Sequence, residues 1–357
     1  MSILNEDGET TVERSACVVQ RKLKIAVIGC GAVSRNHGKA LLNSNYGELC
    51  YAVDIDKTKA QAFSETYGGQ VLTDYHEIFD KSIDVAHVVT PHNTHPQIAI
   101  DLMQHGINVF CEKPLAITPY DAQAMIRTSE QTGMRLGVCF QNRLNQATVQ
   151  AKKLIDDGTY GDILSGMVLV AWDRHGKYYS DSPWRGTYEG EGGGCIINQS
   201  IHTLDLLDYL TGGVMAVTGF DAKLRDTDDY VVDDTAAVLF YLKNGATAIG
   251  FCSNCYPGSK ISTLELRLEK AVLTIKQSGL TIETSDGQTI FHGAKVLTGE
   301  KSEWGISHGV MIEEFYRSLI ENRPFIGDCH TGLAAVRIVN AIQHSHGKKI
   351  VIADPLH

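Results

Sequence analysis

The chain has 357 residues, of which 43% are hydrophobic and 21% charged, with a formal net charge of −10 at pH 7. That length is too great for one comfortable core and predicts two domains with a cleft between them, while the negative charge, offset by no basic stripe, argues against a nucleic-acid partner. No apolar run approaches the roughly 18 residues that a membrane helix needs, so no membrane partner is expected either.

Residues 1–21 read as a flexible tail outside both domains. They carry Glu6, Asp7, Glu9 and Glu13 and no continuous apolar stretch, unlike a secretion or mitochondrial address. The nine cysteines are odd in number, and Cys50, Cys111 and Cys139 sit inside apolar runs as small hydrophobes, which predicts a reducing, cytoplasmic location.

Residues 22–145 alternate short β-branched runs with longer amphipathic ones, the pattern of βαβ units and a parallel sheet. Strands are predicted over 24–28, 49–54, 71–73, 85–90, 108–111 and 135–140, with helices between them, as at 96–106. The first strand runs directly into Gly29-Cys30-Gly31-Ala32-Val33-Ser34. The first glycine permits a tight turn, the second lets backbone approach a diphosphate, and Ser34 is small enough for close helix-to-strand packing. Ala32 and Val33 then lead into a helix whose free N–H groups would meet the anion. Asp54 ends the next strand, where a carboxylate can accept from both ribose hydroxyls of an adenosine and would repel a 2′-phosphate. NAD is therefore the predicted cofactor and NADP is disfavoured, although Lys57 and Lys59 stand nearby. Two further strands end in Thr90-Pro91-His92-Asn93-Thr94-His95 and in Cys111-Glu112-Lys113-Pro114, on the carboxyl edge where such sheets bind ligands. Thr90, Pro91, Asn93, His95, Glu112 and Lys113 are accordingly expected around the cofactor.

After a connecting helix at 146–161 the alternation stops. Strands predicted at 163–174, 214–224, 235–242, 246–253, 264–268 and 271–276 form one large, mostly antiparallel sheet, with Asn244-Gly245 as a hairpin turn. Residues 146–330 thus read as an α+β domain for substrate binding and oligomerisation, its sheet face being the expected surface of a homodimer or homotetramer. Helices are predicted at 310–321 and 332–344, the second lying within a segment, 331–346, that packs back on the first domain. Trp172-Asp173-Arg174, Tyr178-Tyr179 and Pro183-Trp184-Arg185 make an aromatic and polar wall suited to a sugar, and the arginines also suit a carboxylate or phosphate on it. Arg174, Trp184 and Arg185 are the substrate candidates. Cys252 and Cys255 have C-x-x-C spacing but no second pair, and no H-E-x-x-H occurs, so no metal is expected.

The glycine turn, Thr90-Pro91 with His95, Glu112-Lys113-Pro114, and Gly192-Gly193-Gly194 with His202 and Asp205 together resemble the glucose-fructose oxidoreductase/inositol dehydrogenase (Gfo/Idh/MocA) family, from about residue 22 to the C-terminus. The resemblance implies an N-terminal Rossmann domain and an NAD(P)-dependent dehydrogenase of carbohydrate metabolism, acting on CH–OH groups of sugars or polyols. It also implies that Lys113 and His202 face the nicotinamide across the cleft, with Pro114 holding a cis or strained bend. The chemistry agrees, because oxidising a secondary alcohol needs a base for the hydroxyl proton and a cation for the developing alkoxide. Lys113 suits the second role. His202 suits the first and is expected to stay neutral because it lies in the first turn of a helix, near the positive end of the dipole. Asp205 is expected to be structural. One departure stands out: many members carry Asp four residues before this histidine, where this chain has Asn198. An Asn-Gln pair, here Asn198-Gln199, also occurs in relatives acting on nucleotide-linked sugar acids, so a change of substrate is expected, with Asn198 orienting hydroxyls. The rival reading is a non-catalytic sugar- or dinucleotide-responsive binder, and the retained Glu112-Lys113-Pro114 argues against it.

Overall fold

A computed structural model describes residues 21–293 and 307–352. The tail read at 1–21 therefore lies, but for Arg21, outside the described residues. The first domain contains β1 (Leu23–Ile28), α1 (Ser34–Leu42), β2 (Gly47–Val53), α2 (Lys57–Tyr67), β3 (Gln70–Leu72), β4 (Val85–Val88), α3 (His95–Gln104), β5 (Asn108–Cys111), α4 (Pro119–Thr132) and β6 (Leu136–Val138). Its sheet has the order β3-β2-β1-β4-β5-β6 with every pair parallel, the doubly wound Rossmann arrangement. The strand order reverses between β1 and β4, which opens a crevice at their carboxyl ends. The strand expected at 85–90 stops at Val88, because the chain turns off the sheet toward Pro91.

The remainder runs α5 (Gln146–Asp156), β7 (Ile163–Ala171), α6 (Lys177–Ser180), α7 (Ile201–Thr211), β8 (Val214–Ala222), β9 (Thr235–Leu242), β10 (Thr247–Ser253), β11 (Thr263–Leu268), β12 (Val272–Lys276), β13 (Gly279–Thr284), β14 (Gly287–His292), α8 (His308–Ile320), α9 (Cys329–Gln343) and β15 (Ile350–Val351). Nine of these strands form one sheet, β14-β13-β12-β11-β7-β10-β9-β8-β15, antiparallel except where β7 meets β10. The β9–β10 hairpin turns at Asn244-Gly245, with Gly245 at φ +88°. Strands β13 to β15 go beyond the expected six. β14 is exposed along its whole length and so lacks the alternation that marks a half-buried strand.

One face of the large sheet is covered by α5, α7 and α9. α7 is buried nearly all round because it is packed between this sheet and its neighbouring helices. The other face leaves Phe220 64% and Ile249 58% exposed. α9 packs on α4 and β6, as expected, but also on α7 and β8, and so joins the two sheets. α8, which falls within 146–330, lies against α1 of the first domain, where Ser44 hydrogen-bonds Glu313.

Candidate active site

β1 delivers Gly29 to the crevice at φ +94°, and a Cβ there would stand 2.5 Å from the carbonyl oxygen of Val89. Only glycine tolerates both conditions. Two residues on, no heavy atom lies within 4 Å of where a Cβ on Gly31 would be, so the backbone faces open space. Ser34 is fully buried and donates its Oγ–H to the Gly31 carbonyl at 2.7 Å, holding the turn against α1. No side chain caps the N-terminus of α1, which leaves its first N–H groups for an anion. At the end of β2 the Asp54 carboxylate accepts from the backbone N–H of Cys30 at 2.8 Å and of Asp56 at 2.9 Å, and is thereby fixed at the cleft wall. A glycine cradle open to a diphosphate and an anchored carboxylate beside it fit a dinucleotide. Lys59 also lines this part of the cleft, 3.8 Å from Asp56 Oδ2, whereas Lys57 does not.

The cleft here has a volume of about 660 Å³ and is walled by Gly29, Gly31, Ala32, Val33, Asp54, Thr90, Pro91, Asn93, Glu112 and Lys113. A second compartment of about 920 Å³ adjoins it and contains Trp172, Arg174, Gln199 and His202. Lys113, Tyr178, Arg185 and Asn198 line both compartments and mark their junction. Trp184 lines the first, against the ring of His92 at 4.7 Å. His95 lines neither: it is fully buried, with its ring nitrogens 2.8 Å from the Pro114 carbonyl and 2.9 Å from the Thr90 carbonyl, to one of which the neutral ring donates. It ties together the two strand-end loops that flank the cleft, a role that differs from the cofactor contact expected of it.

At the junction, past the cis Lys113–Pro114 bond, Lys113 Nζ donates to both the backbone oxygen and Oδ1 of Asn198, at 2.9 and 3.1 Å. The Asn198 amide nitrogen donates in turn to Tyr178 Oη at 3.1 Å and to Glu191. Gln199 donates to the same tyrosine at 2.6 Å and accepts from Asn254 at 2.8 Å. Asn198 therefore spends its amide on holding Lys113, where sequence reasoning had it held out to substrate. Burial lowers the Lys113 pKa to about 8, against the opposing pull of Glu112 and Glu191. Burial raises Glu191 to about 7, against hydrogen bonds from Gly186 and Asn198. Glu191 puts a carboxyl beside the position where an aspartate was expected and Asn198 stands; nothing local in its glycine-rich surroundings marks it.

His202 is held neutral, its pKa well below the ordinary value, with burial as the main cause and the Lys113 charge as the second. The helix dipole invoked from the sequence is not the cause. A π-helical turn, Cys195–Ser200, precedes α7 and moves the N-terminal end back to Gly194, where Asp233 accepts from the N–H groups of Gly194 (2.7 Å) and Ile196 (3.2 Å). Beneath the site Asp205 makes a two-pronged bond with Arg143, at 3.0 and 2.7 Å, and is structural as expected. Burial raises its carboxyl to about 6, partly offset by Arg143.

A family model described as "Oxidoreductase family, NAD-binding Rossmann fold" matches residues 23–140, and one described as "GFO/IDH/MocA C-terminal domain" matches residues 148–274. Glucose-6-phosphate 3-dehydrogenase of Bacillus subtilis (strain 168) is 28% identical over 240 residues, 65% of this chain and 68% of that enzyme. Inositol 2-dehydrogenase of Salmonella typhimurium (strain LT2) is 31% identical over 193 residues, so the match spans about half of each, 53% and 54%. Among solved structures, the WlbA dehydrogenase from Bordetella pertussis in complex with NADH and UDP-GlcNAcA is similar with a TM-score of 0.84 at 25% identity, covering 94% of this chain and 99% of that one. Matched through both of its halves, the chain belongs to the Gfo/Idh/MocA family of NAD-binding sugar and cyclitol oxidoreductases.

Proposed function

We propose that the protein oxidises a secondary alcohol of a sugar, cyclitol or sugar derivative with NAD as acceptor. The observation that carries this reading is the position of Lys113, which lines both compartments and stands between the dinucleotide cradle and the chamber that contains His202. When bound in the cradle, the dinucleotide supplies the hydride acceptor. The chain's own residues handle the proton and the charge. Neutral His202 takes the hydroxyl proton, Lys113 as a cation donates to the developing alkoxide, and Asn198 with Glu191 keeps the ammonium aimed at the junction. Asp54 selects NAD over NADP. Arg174 and Arg185 stand on the substrate side, each within cation–π range of Tyr178 (5.5 and 4.5 Å), where they can meet a carboxylate or phosphate on the sugar. Relatives that act on glucose 6-phosphate or hold UDP-GlcNAcA make an anionic sugar a reasonable first probe. We place the protein in the cytoplasm and assign its dimer or tetramer contact to the open face of the nine-stranded sheet.

The test is NAD reduction across a panel containing myo-inositol, glucose, glucose 6-phosphate, glucuronate and a nucleotide-linked hexuronate, repeated with NADP. Turnover with at least one member is expected, weaker with NADP, and Lys113→Ala should lose about 10²- to 10⁴-fold of it. A wild type that binds NAD yet reduces none of it with any member of the panel sinks the reading.

A further inference from the structure

Behind the cleft, a line of polar side chains runs through the core of the first domain. Tyr316 Oη, from α8, is 2.7 Å from His87 Nε2 on β4; His87 Nδ1 is 2.9 Å from His37 Nδ1 on α1; and His37 Nε2 is 3.0 Å from Glu112 Oε1 at the end of β5. Tyr316, His87 and His37 are each 0% exposed, although ordinary core positions carry apolar side chains. None of the three lines either compartment.

Proton bookkeeping restricts what this line can do. An ionised Glu112 only accepts, so His37 must carry its proton on Nε2. If His37 is neutral, its Nδ1 accepts from His87 Nδ1–H, and His87 Nε2 accepts from the Tyr316 hydroxyl. If His37 is an imidazolium, it donates from both nitrogens and the two remaining bonds reverse. In both patterns every link is satisfied and the end of the chain aims an N–H at Glu112. A buried carboxylate is costly unless it is hydrogen-bonded and faced by positive charge. His308 from α8 also approaches Glu112, at 3.7 Å, but burial lowers its pKa to about 4 and keeps the ring neutral at neutral pH, so the cation beside Glu112 is its covalent neighbour Lys113. The Cys139 thiol and the rings of His95 and His202 also face it, the thiol neutral through burial and both imidazoles disfavoured as cations. His37 is faced by His87, Glu112, His308 and the ring of Phe110, and Tyr316 by His87, with Glu313 on its own helix.

We propose that Tyr316, His87 and His37 form a positioning chain for the reaction, keeping the Glu112 carboxylate ionised beside the cleft so that it holds Lys113 as a cation. Glu112 is the largest favourable charge that Lys113 meets, and it opposes the burial that pushes the lysine down. The proposal rests on the reading of Lys113 as the cation that meets the alkoxide. Its test does not require turnover. The rate of reductive methylation of Lys113 by formaldehyde and an amine–borane, followed by peptide mass spectrometry on the full-length chain over a pH series, reports the lysine's own titration.

In His37→Leu the imidazole donor to Glu112 is lost while the long Lys113 backbone N–H bond at 3.3 Å remains, so the carboxyl takes up a proton more readily and the methylation midpoint of Lys113 should fall by about one unit. His37→Gln keeps a donor and should return the midpoint toward wild type, which a merely structural role would not do. Should His37→Leu fail to fold, Tyr316→Phe removes a single hydroxyl and is decisive: a smaller downward shift supports the chain. An unmoved midpoint in a folded His37→Leu or, in its absence, in Tyr316→Phe overturns it. A shifted midpoint in a protein that oxidises nothing in the sugar panel would defeat the proposed function while leaving the chain intact.

Discussion

The carboxyl edge of the first sheet and the open face of the second are both accessible, yet they are built on opposite principles. Around Lys113 the polar side chains are half-buried or buried and linked: Asn198 accepts from Lys113 and donates to Tyr178 and Glu191, and Gln199 donates to the same tyrosine. On the second sheet, Phe220, Ile249, Leu164 and Met215 stand out into solvent, with polar side chains such as Glu265, opposite Met167, and Arg267 set singly among the strands. The first arrangement can move protons and charge, because low dielectric and fixed donors make each interaction strong. The second gathers several large exposed apolar side chains, which is what supports the proposed contact surface there.

Substitutions should separate the two regions. Gly29→Ala is expected to have the largest effect, because its Cβ meets the Val89 carbonyl and its backbone stays in a region that disfavours side chains. A loss of about 1–3 kcal/mol in denaturant titration is expected from the strained backbone alone, with NAD affinity in calorimetry reduced beyond detection; an alanine variant that binds NAD normally would show that the cradle is not where the dinucleotide lies. Ile249→Lys, on the open face, should leave turnover per chain unchanged while weakening self-association by about 10- to 100-fold in sedimentation equilibrium, in line with the roughly 1.5–3 kcal/mol that burying one such side chain contributes. Unchanged association would remove this face as the oligomer contact.

The pH profile sharpens the comparison from the catalytic side. With Lys113 in the proposed role of cation and its pKa lowered to about 8, turnover should fall about tenfold per unit at higher pH, as the lysine gives up its proton. His202, lowered well below its ordinary value, stays neutral at neutral pH and should give no acid limb there. Glu191, at about 7, becomes an anion as pH rises through neutrality and then favours charged Lys113. Glu191→Gln should therefore move the alkaline limb to lower pH by a fraction of a unit, and an unmoved limb would mean that Glu191 is not coupled to the lysine.

Much of the first domain was legible because its signals are local. A strand, a glycine turn, a helix and an acid at the next strand end all fall between Leu23 and Asp54. Among the second domain's strands, β9, with one side buried, was legible, and β14, exposed on both sides, was missed; β13 was missed although Leu280 and Ile282 give it a buried side. His95 was read as a cofactor contact because its position in the motif says nothing of which way the ring turns.

The two-domain plan, the glycine turn at Gly29 and Gly31, and the residue types of the proposed proton-handling centre can all be read from local sequence. Tertiary structure alone decided how those residues are coupled. Lys113 meets Asn198 from 85 positions away, and Tyr316 reaches His87 across 229. No periodicity connects such pairs, because the contact arises only when α8 is laid against α1 and the two sheets close on the cleft. Burial produced by that packing, and not the position of a residue along its helix, keeps His202 neutral and lowers the pKa of Lys113.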